Sequence, residues 1–220
     1  SVQVGSSVMM NLLLVAAKRD ELYPVIQSFR DAGLVIDCVD IDALATINAL
    51  EFFYPQEFRS STAVLDIGTE VSTLSVILEG KPRFIRDISY GGVDILKRLK
   101  RKLGLTEQQA RQYVSDSDMV LPPDVVKTFQ EVLGNLIADL KVSLDYYLDQ
   151  ISHAVAVKTL FLCGGEAYHP VVINALTRDL GLSVQPIDIF QKIQLDPGVD
   201  GDLVKKNRGF LSVPLGLCLR

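Results

Sequence analysis

Two glycine turns and a glycine pair mark the places in this chain where backbone could meet an anion. DIGT, at residues 66–69, closes an apolar run. A strand there would deliver the Asp66 carboxylate to its end, and Gly68 would let backbone N–H groups and the Thr69 hydroxyl close around a phosphate oxygen. Asp66 would then face Mg²⁺ through water, because that ion keeps much of its hydration. The same four residues also make an ordinary hairpin turn, and the motif alone leaves both readings open. In FLCGGEA, residues 161–167, an apolar run ends in Gly164 and Gly165 and a helical pattern follows. That is a geometry in which a helix N-terminus can hold an anion or a ribose-phosphate, and equally a plain strand-to-helix turn. Gly91 and Gly92 stand at the head of a third pattern, VDILKRLKRKLG.

The remaining polar residues point to little chemistry. His153 and His169 are isolated from each other and from the cysteines, so neither metal-ligand spacing nor a Ser–His–Asp or Cys–His set can be built. Lys97, Arg98, Lys100, Arg101 and Lys102 read as a solvated basic face near a helix C-terminus. A net charge of −5 opposes a general polyanion partner, so nucleic acid is not expected. Cys38, Cys163 and Cys218 lack paired spacing, and Cys38 and Cys163 sit in apolar runs as small hydrophobes, which suggests a reducing compartment. The longest apolar run, residues 8–17, is interrupted by Asn11 and is too short for a bilayer-spanning helix. The opening SVQVGSS has neither an initiator Met nor a secretory pattern, so the natural N-terminus is expected to have been removed or left out.

The elements that must position these turns follow from periodicity. Residues 8–17 read as a buried strand, a helix opens at Asp20 and ends at Gly33, and 34–39 read as a second strand. A helix over 41–53 stops before Pro55, and RSST at 59–62 reads as a connection between subdomains. Strands are predicted at 62–67, 73–78 and 83–88, an antiparallel meander punctuated by Gly68 and by EGKP. Leu96, Leu99 and Leu103 make one stripe of a helix that Gly104 caps, and TEQQ has the spacing of a capping box. Phe129, Leu133, Leu136, Leu140, Leu144, Tyr147 and Ile151 recur at three- and four-residue steps and predict one long helix. A buried strand at 155–163, a helix at 171–180 closed by Gly181 and a short strand at 182–185 complete the pattern.

The ordered set of blocks carries more than any one glycine pair: LLLVAAKRDELYPVIQSFRDAGLVIDCVDIDALATINAL, VLDIGTEVSTLSVILEGKPRFIRDISYGG, LGLTEQQA, LIADLKVSLDYYL, LFLCGGEA and PLGLCLR. In that order and spacing the chain resembles the actin-like ATPase superfamily and, within it, the PilM family of type IV pilus assembly proteins. The resemblance implies an α/β fold: an actin-like, ribonuclease-H-like mixed sheet with flanking helices, plus a small α+β strand–helix–strand subdomain. It divides the chain into 1–58, a partial subdomain with its linking helix, and 59–220, a nucleotide-binding-type domain with a helical insertion at about 92–121. By the same resemblance Asp66, Gly68 and Thr69 fall on the second phosphate loop, Gly91 and Gly92 on the start of the helix beside the nucleotide, and Gly164 and Gly165 on the adenosine loop.

The resemblance implies ATP with Mg²⁺ as the cofactor, and the departures imply that this chain holds it weakly or has lost it. The family's first phosphate loop lies ahead of anything matching Ser1 onward. Glu70 and Glu166 stand where small or polar residues are usual, and either carboxylate would repel a triphosphate. Ala110, Arg111 and Val114 replace the Ala-Glu-x-x-Lys pattern that often holds the nucleoside. No catalytic residue and no protein metal ligand are assigned. The function implied is a cytoplasmic scaffold of a type IV pilus machine, peripheral to the inner membrane through a PilN-like cytoplasmic tail of a partner, with a homo-oligomer as a further possibility. The alternatives are an active actin-like ATPase, or the actin-like component of a type II secretion or cell-division complex.

Overall fold

The structure, a computed structural model, describes residues 2–4, 7–9, 13–151 and 153–219. Contacts divide the chain into two units, Ser1–Val39 and Asp40–Arg220. The division falls earlier than the boundary expected after residue 58. Helix 42–53 joins the larger unit because its buried residues, among them Ile47, Leu50 and Phe53, share a core with the main sheet.

In the smaller unit β1 (Val2–Val4) pairs antiparallel with β2 (Ser7–Met9), Val2 opposite Met9. Helix α1 (Arg19–Asp31) follows, and Gly33, at φ +77°, ends it as the sequence predicts. The predicted strand at 8–17 is only partly seen: 10–12 lie outside the described residues, and 13–17 carry no strand structure. Nor do 34–39, so the expected strand–helix–strand order is replaced by two short strands and a helix. Leu14 is 87% exposed and Val35 88%. Cys38, expected to be a small buried hydrophobe, is exposed. An apolar run becomes a buried strand only where a second layer covers it, and α1 offers none, having no buried residue of its own.

The larger unit opens with α2 (Asp42–Phe53) and α3 (Pro55–Phe58). The meander β3 (Thr62–Ile67), β4 (Ser72–Leu78) and β5 (Lys81–Ile88) pairs antiparallel throughout, as predicted. Helices α4 (Gly92–Leu103), α5 (Glu107–Ser115) and α6 (Pro123–Gln150) come next. β6 (Thr159–Gly164) pairs parallel to β3, and β7 (Ser183–Pro186) parallel to β6, with α7 (Pro170–Leu180) between them. The five strands stand in the order β5-β4-β3-β6-β7. Residues 155–158, expected to begin the strand β6, lie outside it.

The period of two along β3 and β6 sorts their side chains between two cores, which explains why both strands read as unbroken apolar runs. Ala63, Leu65, Ile67, Leu160 and Leu162 pack with residues of α4, α6 and α7. Val64, Phe161 and Cys163 pack on the other face with α2 and α3. The long helix supplies Phe129, Leu133, Leu136, Leu140 and Tyr147, all fully buried, at the three- and four-residue steps seen in the sequence. Gly104 and Gly181 end α4 and α7 at φ +66° and +68°, the left-handed caps expected.

The elements after β7 were not legible in advance. They are a short 3-10 turn at Ile189–Gln191, α8 (Gly201–Lys206), a second such turn at Arg208–Leu211, and α9 (Ser212–Cys218). Helix α9 packs on α2 so tightly that a Cβ on Gly216 would lie 1.8 Å from the Ala45 carbonyl oxygen, and Asn48 Nδ2 donates to the Gly216 carbonyl at 3.3 Å.

Candidate functional site

Strand pairing brings the two glycine turns together. Across β3 and β6, Asp66 stands opposite Cys163 and Ile67 opposite Gly164, so the DIGT and GGEA turns leave the carboxyl ends of neighbouring parallel strands side by side. In open α/β sheets that is where a crevice for a ligand forms. Here the crevice is a cleft of about 340 Å³, within the size range of small-ligand pockets. Ile67, Gly68 and Thr69 form one wall, with Gly92, Val93 and Leu96 of α4 beside them. Arg111, Val114 and Ser115 come from α5, Gly165 and Glu166 from the turn after β6, and Lys206, Asn207 and Phe210 from the segment around the last turns.

Of the seven residues read from sequence, Gly68, Thr69, Gly92 and Gly165 thus lie in the wall. Gly91 and Gly164 make the turns possible without lining the cleft. A Cβ on Gly91 would meet the Thr69 carbonyl oxygen at 2.3 Å, and one on Gly164, at φ +91°, would meet that of Ile67 at 2.2 Å. Backbone that cannot yield leaves room only for glycine at both places. Asp66 is half-buried beside the Cys163 thiol; burial pushes its carboxyl up, the thiol opposes that, and Asp42 adds to it.

The DIGT turn and the start of α4 are stitched together. Gly92 N–H donates to the Gly68 carbonyl at 3.1 Å and Val93 N–H to that of Thr69 at 3.0 Å, while Gly91 N–H is taken by Asp94 Oδ2. The first N–H groups of this helix, which elsewhere make an anion site, are therefore spent on the loop in front of it.

Glu166 is the electrostatic centre of the wall. It is 3% exposed. The Tyr90 hydroxyl donates to its Oε2 at 3.2 Å, and among the described residues its Oε1 has no hydrogen-bond partner. Burial pushes this carboxyl up to about 7, with Asp94 adding to the rise and the Tyr90 hydroxyl opposing it. Burial and then the Glu166 charge push the Tyr90 hydroxyl well above its ordinary range in turn. Glu70, the other carboxylate singled out in the sequence, is exposed and outside the wall. The cations of the wall are Arg111, whose Nη2 pairs with Glu107 at 2.7 Å, and the exposed Lys206.

Phe210, Lys206 and Asn207 were missed in the sequence. They lie in short elements with no periodicity to reveal them, and Phe210 reaches the site because a turn brings it against Gly165, where a Cβ would touch its ring at 2.9 Å. The wall suits the apolar and aromatic part of a nucleotide, through Val93, Leu96, Val114 and the exposed Phe210 ring. It fits the polyphosphate and its metal poorly, since the buried Glu166 carboxylate, joined to no cation by an ion pair among the described residues, would add its negative charge to theirs.

A profile of the family described as type IV pilus assembly protein PilM matches residues 2–220. The chain belongs to the PilM family. Among solved structures it is similar to a PilM–PilN type IV pilus biogenesis complex, with a TM-score of 0.78 and 24% identity over 93% of this chain and 58% of that one. It is similar also to the ethanolamine utilization protein EutJ from Carboxydothermus hydrogenoformans, with a TM-score of 0.67 and 20% identity over 93% of this chain and 62% of the other. MreB 5 of Spiroplasma citri bound to AMPPNP gives 0.59 and 13% over 92% and 64%. At these identities the likenesses speak for the fold, which is the actin-like mixed sheet with flanking helices that the PilM resemblance implied. The chain spans less than two thirds of each of these three structures. Among the described residues no helix is long and apolar enough to cross a membrane.

Proposed function

We propose that this chain serves a type IV pilus machine as an actin-like docking protein, holding the cytoplasmic tail of an inner-membrane partner, with a cleft that keeps the shape of a nucleotide site but binds ATP–Mg²⁺ weakly or not at all. The observation that carries the reading is the PilM-family match over residues 2–220. A similar structure holds a PilM–PilN complex, and a PilN-like tail is accordingly the partner proposed here. In the smaller unit Leu13, Leu14, Val15, Leu34 and Val35 are exposed, an apolar surface of the kind that takes an extended peptide. The protein would sit on the cytoplasmic side of the inner membrane through that partner.

Glu166 supports weak nucleotide binding. At ~5 Å and an effective dielectric constant of about 20, an ionised carboxylate and one phosphate charge repel by about 3 kcal/mol. Titration calorimetry with ATP–Mg²⁺ at pH 8 is expected to show no saturation below ~1 mM, where binding supplies only about −4 kcal/mol. Micromolar affinity would overturn the reading. Glu70→Ala is expected to change nothing, since Glu70 is exposed and outside the wall. For the docking surface, capture of a PilN tail peptide by the full-length protein should be lost in the Leu13→Asp, Val15→Asp double variant while its circular dichroism is kept. Undiminished capture would place the interface elsewhere.

A further inference from the structure

Glu166 is an acid in a wall that otherwise offers an anion the Thr69 hydroxyl, Arg111 and Lys206. Its Oε1 lies against the start of α4, where a Cβ on Gly92 would come within 2.4 Å of it, and finds no hydrogen-bond partner there. The groups that face this carboxyl are the Tyr90 hydroxyl, which donates to Oε2, and Asp94 of α4, which opposes its charge. Across the same cleft stand Arg111 and Lys206, and among the described residues no ion pair joins either of them to Glu166. When ionised, this acid therefore has no counter-ion, and a phosphate entering beside it adds a second negative charge. When protonated, the acid carries no charge, and that repulsion is gone.

We propose that Glu166 selects the charge of the ligand: a phosphate-bearing nucleotide enters the cleft only with a proton on this carboxyl, whereas the uncharged nucleoside enters whatever its state. The proton comes from solvent on entry and returns to it on release. The inference rests on the cleft being nucleotide-shaped, as proposed above. Burial and Asp94 carry the carboxyl from its ordinary 4.5 to about 7, so the acid changes state across neutral pH. It is then about nine-tenths protonated at pH 6 and about one-tenth at pH 8, and a nucleotide that needs the proton binds about tenfold more weakly at the higher pH.

The test is calorimetric titration of the wild-type protein and of Glu166→Gln with ATP and with adenosine, at pH 6 and pH 8. The amide is isosteric and keeps an acceptor for Tyr90, and the titration of ATP itself is common to both proteins, so the difference between their pH profiles isolates Glu166. Expected are a drop of about tenfold for ATP in the wild type beyond any drop in Glu166→Gln, and a flat profile for adenosine in both. Tyr90→Phe, which removes the donor to Oε2, should move the wild-type step to higher pH. Parallel ATP profiles for wild type and Glu166→Gln overturn the inference, as does an adenosine affinity that falls with pH. Absence of ATP binding to either protein at pH 6 also overturns it, while leaving weak nucleotide binding intact. A tenfold step at micromolar affinity does the reverse: selection stands and the weak-binding reading falls.

Discussion

Replacing Glu166 by Gln should stabilise the folded protein at alkaline pH and leave it nearly unchanged near pH 4, with no ligand present. A carboxyl carried from 4.5 to about 7 by burial is harder to ionise in the folded chain than in the unfolded one. Each pH unit of that difference is about 1.4 kcal/mol, so ionising Glu166 costs the fold about 3 kcal/mol. Because the folded value is raised, the contribution is complete below pH 4.5 and is lost as pH rises through 7. Gln cannot ionise and keeps an oxygen for the Tyr90 hydroxyl to donate to, so the variant escapes the loss. Urea unfolding followed by far-ultraviolet circular dichroism should give nearly equal midpoints at pH 4 and, at pH 8, a midpoint about 1 M higher for Glu166→Gln, taking a slope of roughly 2–3 kcal/mol per M. All other titrating groups are shared and cancel. Equal midpoints at both pH values would refute the picture of a buried, uncompensated acid.

Two further outcomes are expected. Gly216→Ala places a methyl group 1.8 Å from the Ala45 carbonyl oxygen, and the gain in helix propensity cannot offset backbone forced apart, so thermal and urea unfolding should show a loss of at least about 2 kcal/mol. His169 accepts the Val171 N–H at Nδ1 and stacks on Phe129, and burial holds its pKa below the ordinary value. That stabilisation is complete above pH 6.5 and is lost as pH falls through the lowered value, when the protonated Nδ1 can no longer accept. The acid limb of a stability–pH curve should flatten in His169→Ala, and an unchanged limb would assign the loss to other groups.

The legible parts of this fold are those whose signals are local and repeated. α6 shows its buried face through Phe129, Leu133, Leu136, Leu140 and Tyr147 at helical spacing, and β3 and β6 read as strands because both of their faces are covered. The glycines at 91 and 164 were legible because carbonyls pressed within 2.3 Å of a would-be Cβ admit no other residue. Residues 13–17 and 34–39 misled, since the same apolar composition is a strand only beside a partner. Helices α8 and α9 are too short for a periodic pattern, and Phe210 and Lys206 join the cleft from the far end of the sequence. Glu166 was visible as an odd letter in a glycine turn. Its missing partner depends on Tyr90 and Gly92, more than 70 residues away in sequence.

The close fit of α2 against α9 also bears on the order in which the protein can be built. Asn48 and Gly216, joined by a side-chain hydrogen bond, are 168 residues apart. A ribosome emits the chain from one end at roughly 5–20 residues per second, so α2 waits on the order of ten seconds before α9 exists. Its contacts with β3 and β4 form as soon as the meander emerges, but the Ala45 side of the helix stays open until nearly all of the larger unit has been made. Long-range closure of this kind slows folding. Until α9 emerges the nascent chain carries an exposed helical face, a natural stopping place for a chaperone, and Gly216 lets α9 seat against it without prying the sheet apart.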